Sequence, residues 1–232
     1  MFLILLFPFI ADAGAADIIY ESSTTDCVMY AVDDNIYFEG CNVHVANGAG
    51  GTNTTNGLGN LIVGYNTADA SDVKTGSHNI VLGDQHTYAS YGGLVAGFDN
   101  AINNPYGTVA GGRFNQTNGN YAVVSGGREN SANGTDASVS GGRDNRAQET
   151  ISSISGGEQN RAEGVGSAIS GGYSNRTRGM YAAISGGYEG EAEGDLSAVS
   201  GGFYGNARAE GTSVSGGFFN YVTGQYASAS GG

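Results

Sequence analysis

The chain has 232 residues, 42 of them glycine and only 2 proline, and its 14 tyrosines and 9 phenylalanines recur at regular places. No Gly-X-Y triplet runs through it, which excludes a collagen helix, and a chain that is 39% hydrophobic has the apolar content that disordered tails lack. With a formal net charge of −13 and only nine Lys and Arg, it offers no basic patch to neutralise phosphates, which argues against nucleic-acid binding and attachment to anionic membranes.

Residues 1–16 open with the apolar run Met1-Phe2-Leu3-Ile4-Leu5-Leu6-Phe7-Pro8-Phe9-Ile10 and pass to the small residues Ala11 to Ala16. This pattern predicts a signal peptide, and the run is too short to span the roughly 30 Å hydrocarbon layer as a helix. No later segment is apolar enough to insert, so no membrane insertion is expected. Residues 17–58 are expected to form a small β-rich cap, with strands over Cys27 to Val32 and Asn35 to Phe38 joined by a hairpin turn at Asp33-Asp34. Cys27 and Cys41 are the only cysteines. An exported chain favours a disulfide between them; two buried thiols are the alternative.

Over 59–110 the segments Leu61-Ile62-Val63-Gly64, Ile80-Val81-Leu82-Gly83 and Leu94-Val95-Ala96-Gly97 read as degenerate coils. From residue 111 the pattern becomes strict. Gly-Gly pairs begin at Gly111 and recur every fifteen residues to Gly231 without a slip. Such a repeat is a solenoid signature. The expected fold is all-β, a left-handed parallel β-roll or β-solenoid of 15-residue coils over 111–232, behind the N-terminal cap. The chain ends on Gly231-Gly232 without a closing segment, which reads as truncation.

Each column of the repeat has a predicted place. Two residues before each pair stand Val109, Val124, Val139, Ile154, Ile169, Ile184, Val199 and Val214, the buried positions of a strand. Four residues after the first glycine stand Asn115, Asn130, Asn145, Asn160, Asn175, Gly190, Gly205 and Asn220. Asparagine and glycine best accept a left-handed backbone, so this column is expected to be a turn with positive φ. A buried Asn ladder bonded to backbone is the competing account, which the glycines argue against. Two residues further, Thr117, Ala132, Ala147 and Ala162 begin a second, narrower strand. Two strands and two turns per coil, stacked at about 4.8 Å, make a rod of about 40 Å with a thin core. Lateral association into a homotrimer or other homo-oligomer is the expected remedy.

Units such as Asp136-Ala137-Ser138-Val139-Ser140-Gly141-Gly142 resemble the head repeats of trimeric autotransporter adhesins, the YadA-like group, over roughly residues 60–232. The resemblance implies a left-handed parallel β-roll, association of three chains, and binding to extracellular matrix or cell surfaces. The present unit is one residue longer than that family's and doubles the glycine.

Little points to catalysis, and neither cofactor nor metal is expected. His78 and His86 bracket Asp84 at a spacing that fits no standard zinc pattern, and they read as a polar turn. An acid in the position a calcium β-roll would need recurs only as Asp144. After the glycine pairs runs the outward column Arg113, Arg128, Arg143, Glu158, Tyr173, Tyr188, Phe203, Phe218. Its aromatic half, Tyr173 to Phe218, is a candidate contact ladder, packing against sister chains or binding a glycan. Outward serines suggest an ice-binding solenoid as an alternative, but Val123, Ala168, Ala183 and Ala198 interrupt their rows. A second alternative is the non-catalytic stem of a polysaccharide-acting enzyme. The favoured expectation is a secreted or cell-surface structural and adhesive protein.

Overall fold

The computed structural model describes residues 17–21 and 27–232, so the leader expected over 1–16 lies outside the described residues. The chain divides into two compact units, Met1–His44 and Val45–Gly232. Residues 45–58, assigned to the cap from sequence, therefore go with the solenoid. Asn47 explains why: its side chain bonds to Thr54, and its N–H donates to Nε2 of His78.

In the first unit, β1 (Asp17–Glu21), β2 (Val28–Val32) and β3 (Asn35–Glu39) form an antiparallel sheet in chain order. Val32 pairs with Asn35 across the Asp33-Asp34 turn, with Asp33 at φ 50°. Cys27 and Cys41, just outside this hairpin, are joined in a disulfide with Cα atoms 4.8 Å apart. Tyr30 and Tyr37 stack across the strands at 5.1 Å.

The second unit is a parallel β-solenoid, and there is no helix among the described residues. One 12-stranded sheet begins with β4 (Leu61–Val63) and β5 (Ile80–Asp84); a 10-stranded sheet begins with β6 (Thr87–Tyr88). β7 (Leu94–Phe98) continues the first sheet and β8 (Ala101–Ile102) the second, and the two alternate to the end. Register accounts for the loosened pattern before Gly111. Leu61 pairs with Ile80 and Ile80 with Leu94, giving coils of nineteen and fourteen residues, whereas Val124 pairs with Val139 and Val139 with Ile154.

Each regular strand is two residues long, one outward and one buried. The side-chain period of two sends Val109, Val124, Val139, Ile154, Ile169, Ile184, Val199 and Val214 of the 12-stranded sheet inward, mostly against buried Ala or Thr of the other sheet, while Val123 and Ile80 face outward. Ala122, Ala137, Ser152 and Ser167 complete the interior. Besides the two expected strands, each coil has a third point of contact. The column after the glycine pair forms single parallel bridges from Phe98 and Arg113 to Phe203 and Phe218. The coil is thus three ladders and three corners, not two of each.

The two glycines of a pair differ. The second has φ between 81° and 103° from Gly112 to Gly217, and at Gly127 a Cβ would meet the Gly142 carbonyl at 2.3 Å. Only glycine fits there.

The Asn column corrects the sequence-based expectation. Asn115, Asn130, Asn145, Asn160, Asn175 and Asn220 are not left-handed; the residue before each is, namely Phe114, Glu129, Asp144, Gln159, Ser174 and Phe219. The asparagines build the buried ladder instead. At Asn145, Nδ2 donates to the Gly141 carbonyl of its own coil at 3.0 Å and to that of Gly157 in the next at 2.9 Å. Its Oδ1 accepts the Asn160 N–H at 3.0 Å. Three backbone groups thereby find partners, the Asn160 N–H at a fully buried site, which is why asparagine is kept. The ladder runs unbroken from Asn100 to the N–H of Gly190.

Candidate functional site

The corners and outward columns carry the side chains free to meet a partner, and they sort into three surfaces. The first follows the 12-stranded sheet. Its outward positions are small, from Ser138, Ser153 and Ala168 to the exposed column Ser125, Ser140, Ser155, Ser170, Ser185, Ser200 and Ser215. Beside these serines lies the first glycine of each pair. In all nine coils, from Gly111 to Gly231, a Cβ there would meet nothing within 4 Å. From Gly111 to Gly186 its backbone is also outside the left-handed region. Nothing inside this chain requires the six glycines from Gly111 to Gly186, whereas Gly201, Gly216 and Gly231, at φ 159°, 156° and 146°, hold a backbone that other residues rarely adopt.

The second surface is the corner just before that sheet. Tyr106, Tyr121, Ile151, Tyr181, Leu196 and Tyr226 all have φ between 54° and 60° and are exposed, Tyr181 by 60% and Ile151 by 59%. A left-handed backbone costs an ordinary L-residue about 1–2 kcal/mol, and most for a β-branched one. Gly166 and Gly211 hold the same corner in two coils, where rings from the next coil, Tyr181 and Tyr226, lie against them. Large apolar side chains thus stand at a strained, exposed corner that glycine could occupy without strain.

The third surface is the corner between the single-bridge ladder and the 10-stranded sheet. Tyr173, Tyr188, Phe203 and Phe218 stack along the rod at 5.0, 4.7 and 5.0 Å with ring planes within 14°. The ring faces are turned on one another, so this ladder presents edges rather than faces to solvent. A second ladder lies next to it. Tyr204 stacks on Phe219 at 4.8 Å, and each meets its neighbour, Phe203 or Phe218, edge to face. Sequence reasoning missed this second ladder, because in earlier coils its column holds Glu129, Asp144, Gln159 and Ser174.

Beside Tyr204 a groove of about 620 Å³ runs between the left-handed corner residues and the outward residues of the 10-stranded sheet. Gln159, Ser174, Glu189 and Phe219 line one side, and Arg161, Arg176, Glu191, Asn206 and Tyr221 the other. Hydrogen bonding to Glu189 pushes the Tyr204 hydroxyl up from its ordinary pKa, ahead of desolvation; at Tyr188 desolvation leads and Glu189 adds to it. Arg178 pairs with Glu191 and Glu193 at 3.2 and 3.1 Å.

No protein-family model and no curated protein matches this sequence. The surfaces are therefore read from their own chemistry.

Two histidines, His78 and His86, are structural. His78 accepts the Asn47 N–H at Nε2 and faces the Thr52 carbonyl with Nδ1. His86 is fully buried and stands in the Asn ladder itself: Nδ1 accepts the Asn100 N–H at 3.2 Å, and Nε2 faces the Leu82 carbonyl four residues earlier at 3.1 Å. The ring copies an asparagine. The sequence signal was there, since His86 precedes Asn100 by one fourteen-residue coil, but the shortened coil hid the column.

Proposed function

We propose that the chain is a non-catalytic structural and adhesive rod, exported from the cell, which associates side by side with copies of itself and presents its repeated surface to the matrix or to other cells. The observation that carries this reading is the first glycine of each pair. Other outward columns drift freely along the rod, from Arg113 to Phe218 in one and from Gln116 to Tyr221 in another. The glycine stays in nine coils, in six of which, from Gly111 to Gly186, neither space nor backbone demands it, and its exposed neighbour stays serine from Ser125 to Ser230. A side chain excluded where the chain itself leaves space is excluded by something that closes on that space. In this reading a second copy of the Ser/Gly face closes on the first, and the exposed Tyr121, Ile151, Tyr181 and Leu196 beside it, interrupted by Asp136 and Gly166, add apolar contact.

A rod associated in this way multiplies shallow contacts, so weak adhesive sites gain avidity by repetition. The resemblance to trimeric adhesin heads suggests three chains. Sedimentation of the chain at micromolar concentration is expected to show an oligomer. Gly156→Glu together with Gly171→Glu places charge into open space on each chain; it should leave circular dichroism unchanged and release monomers. A monomeric parent, or a variant that assembles as the parent does, would refute the reading.

A further inference from the structure

The groove beside Tyr204 lies on the corner opposite the Ser/Gly face in the coil, and self-association leaves it unused. We propose that it binds one extended, neutral β-1,4-linked polysaccharide chain, laid along the rod.

The chemistry of the walls selects this ligand. The left-handed corner and the outward strand column each contribute one side chain per coil, so polar groups recur about every 4.8 Å along the groove. That spacing is close to the rise per sugar of an extended β-1,4-linked chain, whose successive sugars alternate in orientation, so that every second sugar meets its coil in nearly the same way. The groups alternate in kind: Arg161 donates, Glu189 and Glu191 accept, and Gln159 and Asn206 can do both. A hydroxyl, donor and acceptor at once, answers all of them. Asn206 is fixed on its wall, its Nδ2 donating to Glu191 at 3.1 Å and Glu193 at 3.4 Å. Tyr221, 53% exposed at the end of the groove, is braced by the Arg208 guanidinium 4.2 Å from its ring centre and gives a sugar an apolar platform.

Other ligand classes fit less well. A peptide adding as a strand along the groove needs a free sheet edge, yet the strands Arg161-Ala162, Arg176-Thr177, Glu191-Ala192 and Asn206-Ala207 are paired on both sides, and only Tyr221-Val222 at the end is paired on one. An anionic polymer would meet Asp144, Glu189 and Glu191 against only Arg161 and Arg176 in the lining. A polycation would meet Arg161 and Arg176 in the same lining, and the charges of Glu191 and Asp144 are already offset by Arg178 and Arg146, which leaves their lone pairs to a neutral hydroxyl.

The test is retention of the full chain on microcrystalline cellulose, chitin and insoluble mannan, with heparin resin as the anionic control and calorimetry with the matching soluble hexasaccharides. The parent is expected to be retained by at least one neutral matrix, with little dependence on salt. Gln159→Ala, Arg161→Ala and Tyr221→Ala should each weaken retention about tenfold while circular dichroism and oligomeric state stay unchanged. Thr135→Ala, on another corner, should bind like the parent. Failure of the parent to bind any neutral matrix, equal binding by the groove variants, or retention by heparin alone would overturn the proposal. Because oligomeric state is read separately, loss of self-association and loss of glycan binding are distinguishable.

Discussion

Replacing Asn145 by alanine tests the ladder that holds one corner of every coil together. The substitution removes the acceptor of the Asn160 N–H and the donor to the Gly141 and Gly157 carbonyls. The Gly157 carbonyl keeps a partner, because it also accepts the Arg143 N–H at 3.0 Å. The buried Asn160 N–H and the half-buried Gly141 carbonyl are left with none, and at about 1–3 kcal/mol for the first and less for the second the loss should be about 1–4 kcal/mol. In a solenoid the damage stays with neighbouring coils. Chemical denaturation followed by circular dichroism should report the stability loss, and hydrogen exchange should show the Asn160 amide opening first. Ser140→Ala, on the exposed face, should change stability by no more than about 0.5 kcal/mol. Asn145→Asp should be worse than alanine, since a carboxylate would face two carbonyls. A loss below about 1 kcal/mol for Asn145→Ala, or no change in Asn160 exchange, would mean that water or relaxation satisfies these groups and that the ladder is dispensable.

His86 should tolerate asparagine better than alanine in thermal melts, and nitrogen chemical shifts should show the neutral ring with its proton on Nε2, since Nδ1 must accept from Asn100. Gly127→Ala should lower the melting temperature strongly, because its Cβ strikes the Gly142 carbonyl and its φ is 86°, while Gly126→Ala should leave the isolated chain's fold intact. Stability should fall in acid. Hydrogen bonds from Thr67 hold Asp84, and those from Ser71 hold Asp69, below the ordinary carboxylate range. Burial raises Glu193, but the Asn206 amide and the charges of Arg208 and Arg178 more than offset it and hold it below that range too. Carboxylates lowered in the folded state contribute stability above their unfolded value near 4 and lose it as pH falls through the folded one. Melting points should therefore be flat from about pH 5 to 7 and drop below about pH 4; a rise on acidification would contradict these assignments.

The buried half of the fold could be read directly from the chain, because one β-branched residue every fifteen positions has only one economical place, inside a stacked coil. The Asn column was misread for a physical reason. Residue preference reports what a backbone tolerates, whereas a partnerless carbonyl in the next coil exerts a stronger claim on a side-chain amide. Conversely, Phe114, Ile151 and Tyr204 occupy left-handed positions that no local preference would assign them, since neighbouring coils fix the path of each corner. The ladder from Tyr173 to Phe218 was visible as a column, but its rings were expected to offer contacts and instead spend their faces on one another. The groove was illegible because its two walls come from columns whose chemistry changes coil by coil.

The constant register has a consequence for how such a molecule changes over generations. Each coil presents nearly the same floor to the one above as it receives from the one below, so a duplication or excision of fifteen residues splices without a seam. Length thus becomes a quantity that can be counted out in whole steps of about 4.8 Å. The fourteen-residue coils joining Ile80 to Leu94 and Leu94 to Thr108 show that even a one-residue miscount is absorbed at a corner. Reach can then be lengthened or shortened by recombination alone, while every surface along the shaft keeps its orientation.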